Sequence, residues 1–179
     1  GGCKWQNLPY DEQLRFKTAQ VRDQLTRIGK IELPEIAPCL GSAETRFYRN
    51  KLEFTFADRR WLTQEEVASG EALEASPAAG FHIPGMFDKV LDIERCHLQP
   101  EPSNAIRLEV RRFCLEHGYT FHNARTHEGL MRNMIVRTAS TGEVMVIVVF
   151  GADDRARIEA LMGHLAATFP AVTSLFYVV

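Results

Sequence analysis

The segment Tyr48-Arg49-Asn50-Lys51-Leu52-Glu53-Phe54-Thr55-Phe56 decides the fold of this 179-residue chain, because apolar and polar side chains alternate along most of it. Successive side chains of an extended strand point to opposite faces. One face then carries Tyr48, Leu52, Phe54 and Phe56, and the other carries Arg49, Lys51, Glu53 and Thr55. We therefore predict a β-strand over Arg46–Ala57 that turns its aromatic face to a core and its basic face away from it.

Other strands are predicted outward from this one. Leu130–Thr138 and Glu143–Phe150 are rich in β-branched residues and flank Ser140-Thr141-Gly142, a pattern typical of a hairpin. Pro84-Gly85 indicates a second turn between two short strands. The remaining predicted strands are Gly80–Ile83, Lys89–Ile93 and Val172–Val179.

Three segments carry apolar residues at helical spacing, and we predict helices over Asp11–Ile28, Ser103–His117 and Asp154–Phe169. Asp11 is placed to cap the first helix, and Gly29 to end it. Strands and helices in this order favour an α+β fold, with a mostly antiparallel sheet and about three helices packed on one face.

Residues 1–179 are predicted to form one domain. Its segment Thr63–Ala79 carries four glutamates and no lysine or arginine, which predicts an acidic surface insertion with one helical turn capped by Thr63 and Glu66. The chain begins Gly1-Gly2-Cys3 without a methionine, and its last strand is apolar to the final residue. We therefore expect a piece of a longer protein.

Composition excludes several classes of protein. No apolar run approaches the roughly 18 residues of a membrane helix, and four cysteines are too few for a disulfide scaffold, so we expect no membrane partner and a reducing, cytoplasmic location. The 21 basic and 23 acidic residues give a net charge of −2, too small for a field that draws in nucleic acid. Only five of the basic residues are lysines. The arginine excess is consistent with phosphate binding or with the codon bias of a GC-rich genome.

Few residues suggest catalysis. The glycines form no phosphate-binding loop. His122 and His127 are too isolated for a metal site and fit a solvated or RNA-facing loop, while Cys39 and Cys114 lie in apolar settings typical of core residues. No catalytic residue is predicted in this chain.

Four motifs in order resemble the RNA (uracil-5-)-methyltransferase family. The first is the start of the chain, Gly1-Gly2-Cys3-Lys4-Trp5-Gln6, which is similar to the end of the family's Cys-x5-Cys-Gly-Gly-Cys segment. The second is the strand quoted above, which is similar to the family's central motif. The others are Asp92-Ile93-Glu94-Arg95-Cys96 and His127-Glu128-Gly129-Leu130-Met131-Arg132.

The resemblance implies that this chain is the central domain of a larger enzyme. An N-terminal RNA-binding barrel would precede it, and a C-terminal domain would bind S-adenosylmethionine and carry the nucleophile. Cys3 and Cys96 would be two of the four ligands of a 4Fe-4S cluster. This pair favours the branch that modifies 23S rRNA over the tRNA branch. Because the other parts are missing, we expect neither cofactor on this fragment and no methyl transfer by it.

Basic residues on and after the central strand predict contact with RNA, because cations that neutralise phosphates and aromatic rings that stack on bases hold single strands. The predicted RNA-binding residues are Arg49, Lys51, Arg59, Arg60 and Arg132. A solvated strand face is the alternative. A stand-alone RNA-binding or protein-interaction module, without methyl transfer, is the alternative function. We expect the fragment to be a monomer.

Overall fold

The structure is a computed structural model that describes residues 5–69 and 76–179. It divides into two compact units, Gly1–Thr45 and Arg46–Val179. The first unit contains helix α1 (Tyr10–Asp23), which a π-helical turn (Gln24–Ile28) continues. The helix begins directly after Pro9, so Asp11 lies in its first turn and is not the predicted cap. A carboxylate in the first turn still opposes the positive end of the helix dipole.

The second unit is built on six strands and three helices in the described residues. The strands are β1 (Lys51–Ala57), β2 (Ala78–Ile83), β3 (Met86–Asp92), β4 (Met131–Thr138), β5 (Val144–Phe150) and β6 (Ser174–Val178). The helices are α2 (Gln64–Ala68), α3 (Ser103–Glu116) and α4 (Arg155–Thr168). The strands lie in the order β3-β2-β1-β4-β5-β6.

Neighbouring strands pair antiparallel, except that β5 and β6 pair parallel. A parallel pair needs a crossover, and α4 supplies it. Buried residues of α3 and α4, such as Ile106 and Ile158, join Phe54 and Phe56 of β1 in one hydrophobic core. The predicted α+β fold with a mostly antiparallel sheet is confirmed, with α3 and α4 in the same unit as the sheet. Among the described residues, no helix has the length and apolar character to cross a membrane.

Strand β1 shows the predicted alternation over its own length. Leu52, Phe54 and Phe56 are buried, whereas Lys51 and Glu53 are exposed. The strand begins five residues later than predicted, because the backbone N–H groups of Phe47 and Arg49 donate to the carbonyls of His97 and Leu98, each at 2.8 Å.

One prediction near β1 is therefore wrong. Tyr48 precedes the strand and is 58% exposed, so it does not belong to the buried aromatic face. Arg49 also precedes the strand, so the alternation of β1 does not fix the direction of its side chain.

The acidic segment contains the predicted helical turn. In α2 the Thr63 hydroxyl accepts from the Glu66 N–H and the Glu66 carboxylate accepts from the Thr63 N–H, which forms a capping box. The surface insertion was predicted to continue to Ala79. It ends earlier, because Ala78 and Ala79 already belong to β2 and are fully buried. Residues 70–75 of the segment, with Glu71 and Glu74, lie outside the described residues.

Candidate nucleic-acid interface

Two basic patches lie at opposite ends of the paired strands β1 and β4. The Lys51 patch comprises Arg49, Lys51 and Arg137, and the His122 patch comprises Arg59, His122, His127 and Arg132. The register places Lys51 opposite Arg137 at one end and Thr55 opposite Asn133 near the other. At about 3.3 Å per residue, β1 separates the two patches by roughly 20 Å. The predicted RNA-binding residues are thus distributed between two ends of the sheet.

Unpaired positive charge characterises the Lys51 patch. Its three side chains are exposed, and none forms an ion pair with a described residue. Lys51 and Arg137 are cross-strand neighbours, and like charges at such positions repel each other. A bound anion would relieve this repulsion. Sequence reasoning did not assign Arg137 to the interface, because only the pairing of β1 with β4 brings it beside Lys51.

A cavity of about 430 Å³ opens beside the Lys51 patch. Its lining includes Lys51, Arg137, Asn50, Glu143, Thr173 and Ser174. The cations, amide and hydroxyls are groups that proteins use to hold phosphate oxygens. Glu143 adds an opposing charge, which limits how much negative charge the cavity accepts.

Arg59 and Arg60 follow β1 but differ in their partners. Arg60 forms a 2.6 Å ion pair with Glu66, and the side chain of Arg60 is only 21% exposed. A hydrogen bond from the Thr63 backbone, followed by the bond from Arg60, holds the pKa of Glu66 below its usual value. The Arg59 side chain is 56% exposed and its Nε lies 3.9 Å from Asp58 Oδ2. Arg59 is therefore the more available of the two for a phosphate.

The His122 patch forms where the end of β1 meets the start of β4. The N–H of His122 donates to the carbonyl of Met131 at 2.8 Å, which places His122 beside the residue that precedes Arg132. The N–H of Asp58 donates to the carbonyl of His122 at 3.2 Å. The rings of His122 and His127 lie 6.3 Å apart. Arg132 is exposed and forms no ion pair with a described residue.

Cys96, a predicted cluster ligand, is buried next to Asn104 of α3. Its N–H donates to Asn104 Oδ1 at 3.0 Å, and its Sγ accepts from the Leu98 N–H at 3.5 Å. Hydrogen bonds to sulfur are one means by which proteins tune iron–sulfur ligands. Cys3, the other predicted ligand, lies outside the described residues. Within residues 5–69 and 76–179, no three His, Cys, Asp or Glu side chains form a group able to hold a metal ion.

A buried guanidinium, which sequence reasoning missed, adjoins Cys96. Arg107 of α3 is 0% exposed and donates to the carbonyls of Ala79 and Glu94 at 3.0 and 3.2 Å. It also donates to Asn104 Oδ1 at 3.3 Å, and Asn104 in turn bonds both backbone groups of Cys96. Burial lowers the pKa of Arg107 most, and the nearby Asp92, followed by Cys96, opposes that effect. Arg107 thus links α3, β2 and the segment that positions Cys96.

The other two described cysteines, Cys114 and Cys39, differ in burial. Burial raises the pKa of the Cys114 thiol to about 12, so almost no thiolate forms near neutral pH. Cys39 is half-buried in the first unit and its Sγ contacts the carbonyl of Leu40. Cys114 is a core residue, as predicted, whereas Cys39 is only half-buried and does not belong to the core.

Unpaired cations at both ends of a strand pair define this chain as a candidate nucleic-acid-binding protein. Comparisons with known proteins point in the same direction. The chain is 57% identical over 182 residues to a protein of Bacteroides thetaiotaomicron named an uncharacterized RNA methyltransferase. That match covers 100% of this chain and 40% of the relative. A protein of the same name from Porphyromonas gingivalis is 53% identical over 184 residues, again covering 100% of this chain and 40% of the relative.

A solved structure is also similar. It is the tRNA (uracil-54, C5)-methyltransferase of Pyrococcus abyssi in complex with S-adenosyl-L-homocysteine, at a TM-score of 0.56 and 27% identity over 84% of this chain and 31% of that one. No protein-family model matches the chain. Together these similarities support the RNA methyltransferase family for this chain. The chain spans about 40% of the length of the curated relatives named above.

Proposed function

We propose that this chain is the central, RNA-contacting part of an RNA (uracil-5-)-methyltransferase. The observation that carries the proposal is the pair Lys51 and Arg137, two exposed cations side by side without carboxylate partners among the described residues. Phosphate contacts of this kind fix the position of an RNA without reading its bases. The chain would hold the RNA while the chemistry takes place on another part of the protein.

The methyl transfer itself is assigned to a part of the parent protein outside this chain. Addition of a thiolate to uracil needs a cysteine that ionises readily, and Cys114 does not. S-adenosylmethionine would supply the methyl group when bound to the parent. The described residues of this chain would contribute binding and orientation of the RNA. A cytoplasmic location is part of the same proposal.

The substrate we propose is 23S rRNA, and tRNA is the second candidate. The pair Cys3 and Cys96, with the Gly-Gly-Cys start, supports the rRNA branch by its resemblance to the cluster-bearing enzymes. The similarity to the Pyrococcus abyssi tRNA methyltransferase favours tRNA. The 4Fe-4S cluster belongs to the same proposal, in which Cys96 supplies one ligand and the hydrogen bond from Leu98 N–H stabilises its thiolate.

Reversal of two charges in the Lys51 patch is expected to weaken RNA binding. In Arg49→Glu/Lys51→Glu, the affinity for a uridine-containing single strand should fall at least about tenfold for all sequences, because fewer phosphates are neutralised and fewer counterions are released. The slope of log affinity against log salt should also fall, by about 0.7 for each phosphate that the variant no longer neutralises. Fluorescence anisotropy of labelled RNA, at two or more salt concentrations, measures both.

The matched control is Arg112→Glu/Arg155→Glu, which changes the net charge equally on the exposed surfaces of α3 and α4. It should retain most of the affinity. Equal losses in both variants would indicate a general effect of net charge. An unchanged affinity in Arg49→Glu/Lys51→Glu would mean that this end of the sheet is only a solvated surface.

The full-length parent tests the proposed reaction and its substrate. Incubated with S-adenosylmethionine, it should convert uridine to 5-methyluridine in 23S rRNA, as measured by nucleoside mass spectrometry. 5-Methyluridine in tRNA instead would favour tRNA as the substrate. The absence of 5-methyluridine from both RNAs would contradict the proposed methyltransferase activity. Elemental analysis should find four irons per chain, and Cys96→Ser should lower that number; an unchanged iron content would exclude Cys96 as a ligand.

A further inference from the structure

The basic groups of the His122 patch come from separate elements of the second unit. His122 belongs to the segment that pairs with the end of β1, His127 to the loop that follows it, and Arg132 to β4. Asn123 bridges the patch to Asp58, because its Nδ2 donates to Asp58 Oδ2 at 2.7 Å. Its Oδ1 accepts from the N–H groups of Arg125 and Thr126, which closes the loop. The patch is therefore built into the fold.

The backbone around His122 is tightly packed. At Gly151, directly after β5, a Cβ would collide with the carbonyl oxygen of Gly129, and His122 Nδ1 would lie in ordinary contact with it at 3.4 Å. That nitrogen is buried and has no hydrogen-bond partner among the described residues. His127 has φ +60°, a left-handed conformation that is uncommon for residues other than glycine, although asparagine, aspartate and histidine adopt it more often than the rest. The close approach of Gly129 thus restricts the backbone at His122.

The charges facing His122 are mostly of one sign. Burial lowers the pKa of His122 first, and the nearby Arg132 and His127 lower it further, while Asp58 raises it. Asp58 is the one carboxylate among these groups, and it already accepts a hydrogen bond from Asn123 and lies 3.9 Å from Arg59. The patch therefore has positive charge that the described residues do not balance.

We propose that the His122 patch is a phosphate-binding subsite for the RNA backbone, with Arg132 and protonated His122 as its cations and the His127 ring beside them. This proposal rests on the proposed RNA-binding function and adds to it a second contact point, about 20 Å from the Lys51 patch along β1. A phosphate here would compensate the repulsion between these groups. Binding should therefore favour the protonated form of His122 and become tighter as the pH falls from 8 toward 6.

Histidine titration by NMR tests the subsite directly. In this chain, inorganic phosphate should raise the pKa of the His122 ring relative to sodium chloride at the same ionic strength. The upward shift should be abolished in Arg132→Gln and reduced in His127→Asn, a substitution that tolerates the left-handed backbone. Arg137→Gln is the matched control, since it removes one cation from the far end of the same strand and should leave the shift intact.

Two outcomes would overturn the subsite. The first is the same His122 titration in phosphate and in chloride, and the second is a phosphate shift that survives both Arg132→Gln and His127→Asn. Neither outcome bears on the Lys51 patch, whose role is measured separately by RNA affinity in Arg49→Glu/Lys51→Glu. With a single-stranded RNA as the probe, the affinity of the unchanged chain should rise severalfold between pH 8 and pH 6, and Arg132→Gln should remove most of that rise.

Discussion

Replacement of Arg107 by alanine is expected to lower the free energy of unfolding by about 3–5 kcal/mol. The guanidinium is fully buried and supplies donors to Ala79 O, Glu94 O and Asn104 Oδ1. Its removal takes one donor from each of these acceptors and opens a cavity beside Phe54, whose ring centroid lies 5.5 Å from the guanidinium carbon. Urea unfolding followed by circular dichroism measures the change.

Two further variants show how much of this loss of stability comes from the burial of Arg107 and how much from its hydrogen bonds. Arg112→Ala removes an arginine from the same helix, but that side chain is 50% exposed and its ion pairs are at the surface, so the urea midpoint should barely move. Arg107→Met keeps most of the volume and removes the donors, so its stability should fall between the wild type and Arg107→Ala. An Arg107→Met protein as stable as the wild type would contradict a net contribution from the three hydrogen bonds.

Gly129→Ala should have the second large effect, a loss of about 3 kcal/mol or more. Gly129 has φ +115°, a region that L-residues rarely adopt. A Cβ at this position would also collide with the carbonyl oxygen of Phe121 and lie 2.7 Å from His122 Cα. Because these contacts are to backbone, no side-chain rotation relieves them. The variant should also disturb the His122 patch, and NMR of the His122 ring reports on that change.

Alanine substitutions at two other glycines separate the cost of backbone strain from the cost of the steric collision. Gly142 has φ +102° but open space around it, so Gly142→Ala measures the backbone strain alone, about 1–2 kcal/mol. Gly163 lies within α4 and also has open space, so Gly163→Ala should stabilise the chain by about 0.5–1 kcal/mol. If Gly129→Ala cost no more than Gly142→Ala, the close packing against Phe121 and His122 would be contradicted. Both measurements use the same urea unfolding assay.

The basic residues show the limit of prediction for the site. The alternation of β1 predicted correctly that Lys51 faces away from the core, because this depends only on the pleat of one strand. Arg60 was predicted as a phosphate contact, and the structure gives it a carboxylate partner in α2, Glu66. Arg137 was not predicted, because its position beside Lys51 depends on a pairing between residues 86 apart in the chain.

By itself, the sequence determined the elements whose signal is local. Strand β1, the β4–β5 hairpin, helices α3 and α4 and the capping box of α2 all follow from the spacing of apolar residues and from turn and cap chemistry within a few residues. Only the tertiary structure decided that Arg107 is buried, that Lys51 meets Arg137, and that His122 and Arg132 share one end of the sheet. The physical reason is range: periodicity determines the face on which a side chain lies, whereas burial of a charge and convergence of cations depend on strand register and on packing between distant segments.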